Sequence, residues 1–207
     1  MKLILIRHGE TDWNRERRIQ GHTDILLNER GRAQARCIAE RLSISGICAV
    51  YSSPLARALY TGEAIAKSNS CPVYTRNGLM EIQFGKWEGR TGAEIADTYP
   101  ERWGNWGLDP AVPLAEGAES LLKVQSRAVQ VVEELLKNHG SSDTVCIATH
   151  AMPVKTIISY YIGIPAASLI NLSIDNCGYN ALRFRGDGSA QLLVLNDTGH
   201  LVREGLL

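Results

Sequence analysis

Two histidines and two arginines stand where chemistry begins easily. Arg7 and His8 close the apolar run "LILIRHG", His150 closes "TVCIATH", and Arg57 follows the run "VYSSPLA". A neutral imidazole is a nucleophile and a proton carrier, while a guanidinium grips oxyanions with a planar fork of donors. Taken singly, each has a plainer reading: a solvated strand end, a hydrogen-bonded core histidine, a surface ion pair. Together they describe a pocket for a dianion, and a phosphoryl group is the obvious candidate. Arg57 argues most directly, because a cation in the first turn of a helix opposes the macrodipole unless an anion is shared there.

The elements that must position these side chains follow from the pattern. Residues 2–7 predict a short buried strand, ended by Gly9, and 29–42 ("ERGRAQARCIAERL") predict a helix. The segment "ICAVYSSPLARALYTGEAIAK" reads as strand, turn and helix, with Ser53 as cap and Pro54 at the first helical position. Residues 71–75 predict a third strand. Residues 119–138 form the clearest helix, with Leu121, Val124, Ala128, Val132 and Leu135 on one stripe. "DTVCIATH" is a strand, Pro153 starts another helix, and two apolar runs (179–184 and 190–195) flank a hairpin turn, "RGDGS". Strands alternating with helices predict an α/β fold, a three-layer α/β/α arrangement with a mostly parallel central sheet. The chain 1–207 reads as a single domain, with an insertion at about 77–117 lying over the site as loop and one or two short helices broken at Pro100. Ligands of such sheets lie beyond the carboxyl ends of the strands, where the first and the 145–149 strand carry His8 and His150.

Composition excludes much else. Lys+Arg and Asp+Glu each number 22, so no global field draws the chain to nucleic acid or a membrane surface. Five cysteines are scattered, odd in number and never spaced C-x-x-C, which argues against a disulfide framework or a zinc site and fits a reducing cytoplasm. The opening apolar run is too short for a signal peptide, and no stretch reaches the ~20 apolar residues of a membrane span. A His8/His22/His150 metal site lacks any carboxylate or thiolate at ligand spacing. The expectation is therefore no metal, no cofactor, and a small phosphorylated metabolite as partner. His22 and His200 read as surface-loop histidines.

The stretches "RHGETDWN", "QGHTDILLNERGRAQA", "VYSSPLARALYTGEAIA", "LMEIQFGKWEG" and "IATHAMPVKTII" resemble, in collinear order over nearly the whole chain, the histidine phosphatase (phosphoglycerate mutase-like) superfamily. That resemblance implies a metal-independent phosphohistidine mechanism. His8 is then the nucleophile, Arg7, Arg57 and His150 surround the phosphoryl oxygens, and Glu81 is the general acid/base. A carboxyl group crowded by a phosphate dianion keeps its proton more readily, as that role requires. The resemblance further implies substrate contacts at Asn14, at Gln20 and Gly21 of "QGHTD", and at the backbone of Ala151. Ala151 stands where the family often has glycine and Lys155 where it often has arginine, while "EGAES" replaces a glycine-pair form around Glu119 and Ser120.

The function this implies is a phosphomonoester phosphatase, cytoplasmic, whose "EIQFGKWEG" and following text resemble the α-ribazole-phosphate and broad-specificity branches. "HAMPVKTII" and "DNCGYNAL" also resemble a phosphoserine phosphatase group, which tends to carry histidine where this chain has Phe84. A 2,3-bisphosphoglycerate-dependent mutase using the same phosphohistidine, and a non-catalytic phospho-ligand module, are the alternatives. Trp87, Trp103 and Trp106 either line a leaving-group pocket or pack a small cap.

Overall fold

A computed structural model describes residues 1–105 and 109–207. In chain order the elements are β1 (Lys2–Arg7), α1 (Asp12–Arg15), α2 (Glu29–Leu42), β2 (Ile47–Ser52), α3 (Ala56–Asn69), β3 (Val73–Thr75), α4 (Gly92–Thr98), α5 (Pro100–Gly104) and α6 (Leu121–Asn138), then β4 (Thr144–Thr149), α7 (Ala151–Ile162), β5 (Tyr179–Phe184), β6 (Ala190–Asp197) and α8 (Gly199–Arg203). The six strands form one sheet in the order β3-β2-β4-β1-β5-β6. β3, β2, β4 and β1 pair in parallel, and the β5–β6 hairpin adds antiparallel at the β1 side.

The strands are apolar throughout because both faces are covered. Leu3, Leu5, Val145 and Ile147 meet Ala128, Val132 and Leu135 of α6 and Val154 and Ile157 of α7. The alternate residues Ile4, Ile6, Cys146 and Ala148 meet Ile38 and Leu42 of α2, Ile65 of α3 and Leu201 near the C-terminus. This is an α/β fold with a mostly parallel central sheet between helical layers. The segment after β3 builds a third apolar cluster of its own from Ile82, Phe84, Trp87, Ile95 and Leu114, closed by Leu121 and Val124 of α6. Trp87 is buried there, and Trp103 and Tyr99 pack against it with ring centroids at 5.9 and 6.4 Å. Trp87 is thus part of the insertion's core; Trp106 lies outside the described residues.

Two local expectations are corrected. Ser53 does not cap α3: the N-cap is Leu55, and the Ala56 N–H is met instead by Asp24 Oδ1 at 2.8 Å. The Ser53 hydroxyl is diverted to His150, described below, so a carboxylate from another loop takes over the cap. α7 begins at Ala151, two residues before Pro153, because a proline fits the first helical turn, whose N–H groups have no intrahelical partner.

Candidate active site

Register brings the two histidines together. β1 and β4 pair in parallel with Arg7 opposite Thr149, so His8 and His150 are the next residues on adjacent chains. The His8 N–H still reaches the Thr149 carbonyl at 2.9 Å. Adjacent strands lie about 4.8 Å apart, and the two rings sit edge to face with centroids at 5.1 Å. Both are buried, as is Arg57.

His8 has a defined tautomer. Its Nδ1 lies 2.7 Å from the Gly9 carbonyl oxygen, which can only accept, so Nδ1 carries the proton and Nε2 keeps its lone pair. Gly9 is packed so closely that a Cβ there would stand 2.3 Å from the Gly31 carbonyl oxygen at the start of α2. The small residue allows the contact that holds that carbonyl in place. His150 Nε2 lies 2.8 Å from Ser53 Oγ, which also accepts the Leu55 N–H at 3.3 Å. Assigning the serine proton to Nε2 satisfies the hydroxyl fully. The imidazole proton then sits on Nδ1, a buried donor with no partner among the described residues.

The arginines are anchored by part of their forks. Arg7 donates to the Ile174 carbonyl at 2.7 Å, and Arg57 to the Gly21 and Thr23 carbonyls at 2.7 and 2.8 Å. In both, Nε is buried and unpartnered among the described residues. Burial first, and then the charges of Arg57 and Arg7, push His8 well below the ordinary histidine range; burial, Arg57, His8 and Arg7 do the same to His150. Both imidazoles are therefore neutral near pH 7, which removes two of the four positive charges and leaves only the repulsion between Arg7 and Arg57. What remains is a neutral nucleophile between two guanidinium groups and three orphaned buried donors.

Glu81 joins this group from the insertion. Its Oε1 accepts the N–H of Ile82 at 3.0 Å and of Met152, in the first turn of α7, at 3.2 Å. That leaves Oε2 to carry or take a proton. Its charge acts on both Arg7 and Arg57, opposing the depression that burial imposes on them. The Ala151 N–H, at the first position of α7, has no protein partner among the described residues. Asn14 spends its side-chain oxygen on Thr11 in a capping box and on Asn176 Nδ2 at 3.4 Å, so its amide donors are the uncommitted end. Gln20 is buried with Oε1 unpartnered among the described residues. Gly21 adopts φ +55, where a Cβ would stand 2.1 Å from Glu88 Oε1. Lys155, half-buried one turn into α7, is pushed down by burial and by Arg7, with Glu81 opposing.

Several positioning residues escape any reading of the sequence. Glu88 accepts the N–H groups of His22 and Phe84, both at 3.1 Å, and of Thr23 at 3.0 Å, tying the loop that anchors Arg57 to the insertion. Arg127 of α6 donates to the carbonyls of Gly78, Met80 and Glu81 and pairs with buried Glu119 at 2.9 Å. Burial raises the Glu119 carboxyl, but the Arg127 hydrogen bond and the Gln83 N–H outweigh it and hold the group low and charged. Asn176 donates to the His8 carbonyl at 2.8 Å. Glu88, Glu119 and Asn176 lie inside the stretches "LMEIQFGKWEG", "EGAES" and "DNCGYNAL", but nothing in those stretches marks these roles.

Of the two histidines read as surface-loop residues, His22 lies in a half-buried turn, and His200 is buried in α8. His22 Nε2 donates to the Glu81 carbonyl at 2.8 Å, and His200 is buried against Arg41 at 2.9 Å.

With this geometry established, the comparisons with known proteins are specific. The family model "Histidine phosphatase superfamily (branch 1)" matches residues 3–198. The chain is 33% identical over 201 residues to phosphoserine phosphatase 1 of Hydrogenobacter thermophilus, covering 97% of this chain and 94% of that protein. It is 32% identical over 201 residues to a bifunctional protein of Mycobacterium tuberculosis, of whose length it spans 55%. Among solved structures, a mutant phosphoserine phosphatase of Entamoeba histolytica in complex with phosphoserine superposes with TM-score 0.85 at 33% identity, covering 97% of this chain and 98% of that one.

Proposed function

The chain belongs to the histidine phosphatase superfamily, branch 1, and from that premise we propose that it hydrolyses small phosphomonoesters through a phosphohistidine at His8. Three buried, unpartnered N–H donors (Arg7 Nε, Arg57 Nε and His150 Nδ1) carry this reading, because a phosphoryl dianion satisfies all of them at once. His8 Nε2 attacks phosphorus in line. The N–P bond forms as the P–O bond to the alcohol breaks, and the departing oxygen takes its proton from Glu81 Oε2. Water then attacks the phosphohistidine, Glu81 recovers a proton from it, and phosphate leaves with His8 neutral again. Arg7, Arg57, His150 and the Ala151 N–H hold the equatorial oxygens; Asn14, Gln20 and Gly21 line the same side. Most of the rate comes from this clamp, since phosphoryl transfer is chiefly positioning and charge stabilisation.

The specificity we propose is for a small phosphorylated metabolite, read broadly. The relatives named for phosphoserine favour that substrate over α-ribazole phosphate. Phe84 speaks against a dedicated serine-phosphate site, being buried in the insertion's own core.

Turnover of p-nitrophenyl phosphate in EDTA tests the chemistry. His8→Ala loses on the order of 10⁴-fold in kcat, and the wild-type protein yields a phosphohistidine, stable to base and labile to acid, when quenched in alkaline denaturant. Absence of turnover across α-ribazole phosphate, phosphoserine and phosphoglycerates would sink the enzyme reading. Isomerisation of 3-phosphoglycerate with 2,3-bisphosphoglycerate faster than hydrolysis would replace it with a mutase.

A further inference from the structure

At the opposite end of the sheet, where β2 and β4 begin, Cys48, His139 and Asp143 bring one ligand atom each within 4.8 Å of one another. We propose that these three residues form a surface site for a single Zn²⁺ or similar borderline divalent cation, with water as the fourth ligand.

Two of the three ligand-atom separations are near those the ion requires, and the third, Cys48 Sγ to Asp143 Oδ2, lies within 4.8 Å. Cys48 Sγ lies 3.9 Å from His139 Nδ1, and His139 Nδ1 lies 3.5 Å from Asp143 Oδ2. Tetrahedral zinc, with Zn–S of about 2.3 Å and Zn–N and Zn–O of about 2.0–2.1 Å, requires separations of about 3.5 Å and 3.3 Å for those pairs. Small side-chain rotations close the difference. Without an ion, Nδ1 has no short partner: one contact is to a thiol at the limit of hydrogen bonding, the other to a carboxylate too distant for a good bond.

The surroundings hold the ligands in place. His139 Nε2 lies 3.0 Å from the Tyr51 hydroxyl, leaving Nδ1 to face the other two groups. Metal-bound histidines characteristically have their second nitrogen fixed this way. Asp143 Oδ2 accepts the Gly140 N–H at 2.8 Å, which locks the turn that presents it. Cys48 is the one exposed residue of β2, turned outward where the register to β4 shifts between Ile47 and Ala49. Thiolate, imidazole and carboxylate together form a donor set for zinc rather than for a hard cation such as Mg²⁺. Binding breaks the Cys48 S–H bond and sends that proton to solvent. The thiolate and carboxylate then balance the ion's charge.

The consequence is a staple joining the bulged start of β2 to the α6–β4 connection. It lies apart from the phosphoryl chemistry, so turnover in EDTA persists while thermal stability responds to the metal. Co²⁺ serves as the probe on the metal-free protein of residues 1–207. One equivalent binds with thiolate-to-cobalt charge-transfer absorption, Zn²⁺ displaces it, and Zn²⁺ raises the melting temperature until EDTA is added. Cys48→Ser removes the charge-transfer band, and Asp143→Asn or Tyr51→Phe weakens binding about 10- to 100-fold. Cys48→Ser keeps wild-type turnover of p-nitrophenyl phosphate, which shows that it folds. His8→Ala keeps the cobalt spectrum, so loss of activity and loss of this site are told apart. A band that survives in Cys48→Ser, or no band at millimolar Co²⁺, overturns the proposal.

Discussion

The two ends of one sheet carry histidines in opposite electrical company. At the carboxyl ends of β1 and β4, burial first, and then the charges of Arg57 and Arg7, keep His8 and His150 unprotonated. At the amino end of β4, His139 stands beside a thiol and a carboxylate. In the two sites proposed above, the same side chain serves an oxyanion in one place and a cation in the other. Charge and burial of the neighbours, not the imidazole itself, set the sign of the partner. The carboxylates differ in the same way. Glu81 spends one oxygen on backbone N–H groups and keeps the other beside two guanidiniums, whereas Asp143 turns an oxygen toward His139.

Three perturbations probe this contrast, in descending size. Glu81→Gln removes the acid, so hydrolysis of an alkyl phosphate such as phosphoserine falls about 10³-fold. Hydrolysis of p-nitrophenyl phosphate, whose leaving group needs little protonation, falls far less. Steady-state kinetics on both substrates measure the split; equal losses would remove Glu81 from proton transfer.

Arg57→Ala lowers kcat/KM by on the order of 10² and raises the inhibition constant of inorganic phosphate in step. The Co²⁺ spectrum of that variant stays unchanged. Undiminished phosphate inhibition would take Arg57 out of the clamp and leave the contrast between the two ends without its cationic half.

The smallest effect is on stability against pH. His8 and His150 lie well below the ordinary histidine value of about 6.5, and His200 is lowered to about 4 by burial and Arg41. As pH falls below about 6.5, the unfolded chain takes up protons that these native imidazoles refuse. Stability therefore drops on acidification, each group costing up to about 1.4 kcal/mol per pH unit until its native value is reached. For His200 that window closes near pH 4. Thermal melts between pH 7.5 and 5.5 show a falling midpoint; a flat profile would mean that the clamp tolerates charged histidines.

Much of this was legible in the chain. Helix 29–42 and the 179–184 strand have the bounds their apolar spacing predicts, because propensity and burial pattern agree there. His8, Arg7 and His150 were visible as polar residues ending apolar runs, and Arg57 as a cation at a helix start. Glu81 was legible only through family resemblance, since a carboxylate in a glycine-rich loop has no distinguishing pattern. Glu88, Arg127 and Asn176 left almost no trace, because they act by bonding to the backbone of segments remote in sequence.

The zinc ligands make the same point more sharply. Cys48 is 91 residues from His139, and no spacing rule spans that distance. The expectation of no zinc site rested on cysteines that are scattered, odd in number and never spaced C-x-x-C, a pattern that describes ligands contributed by one local segment. The sequence by itself determined which residues could do chemistry and which strands would carry them, because side-chain type and apolar periodicity are local properties. Only the tertiary structure decided which of them meet, since the parallel register of β1 on β4 and the bulge in β2 arise from pairing between distant segments. Those two features place two histidines among cations and a third, His139, beside a thiol and a carboxylate.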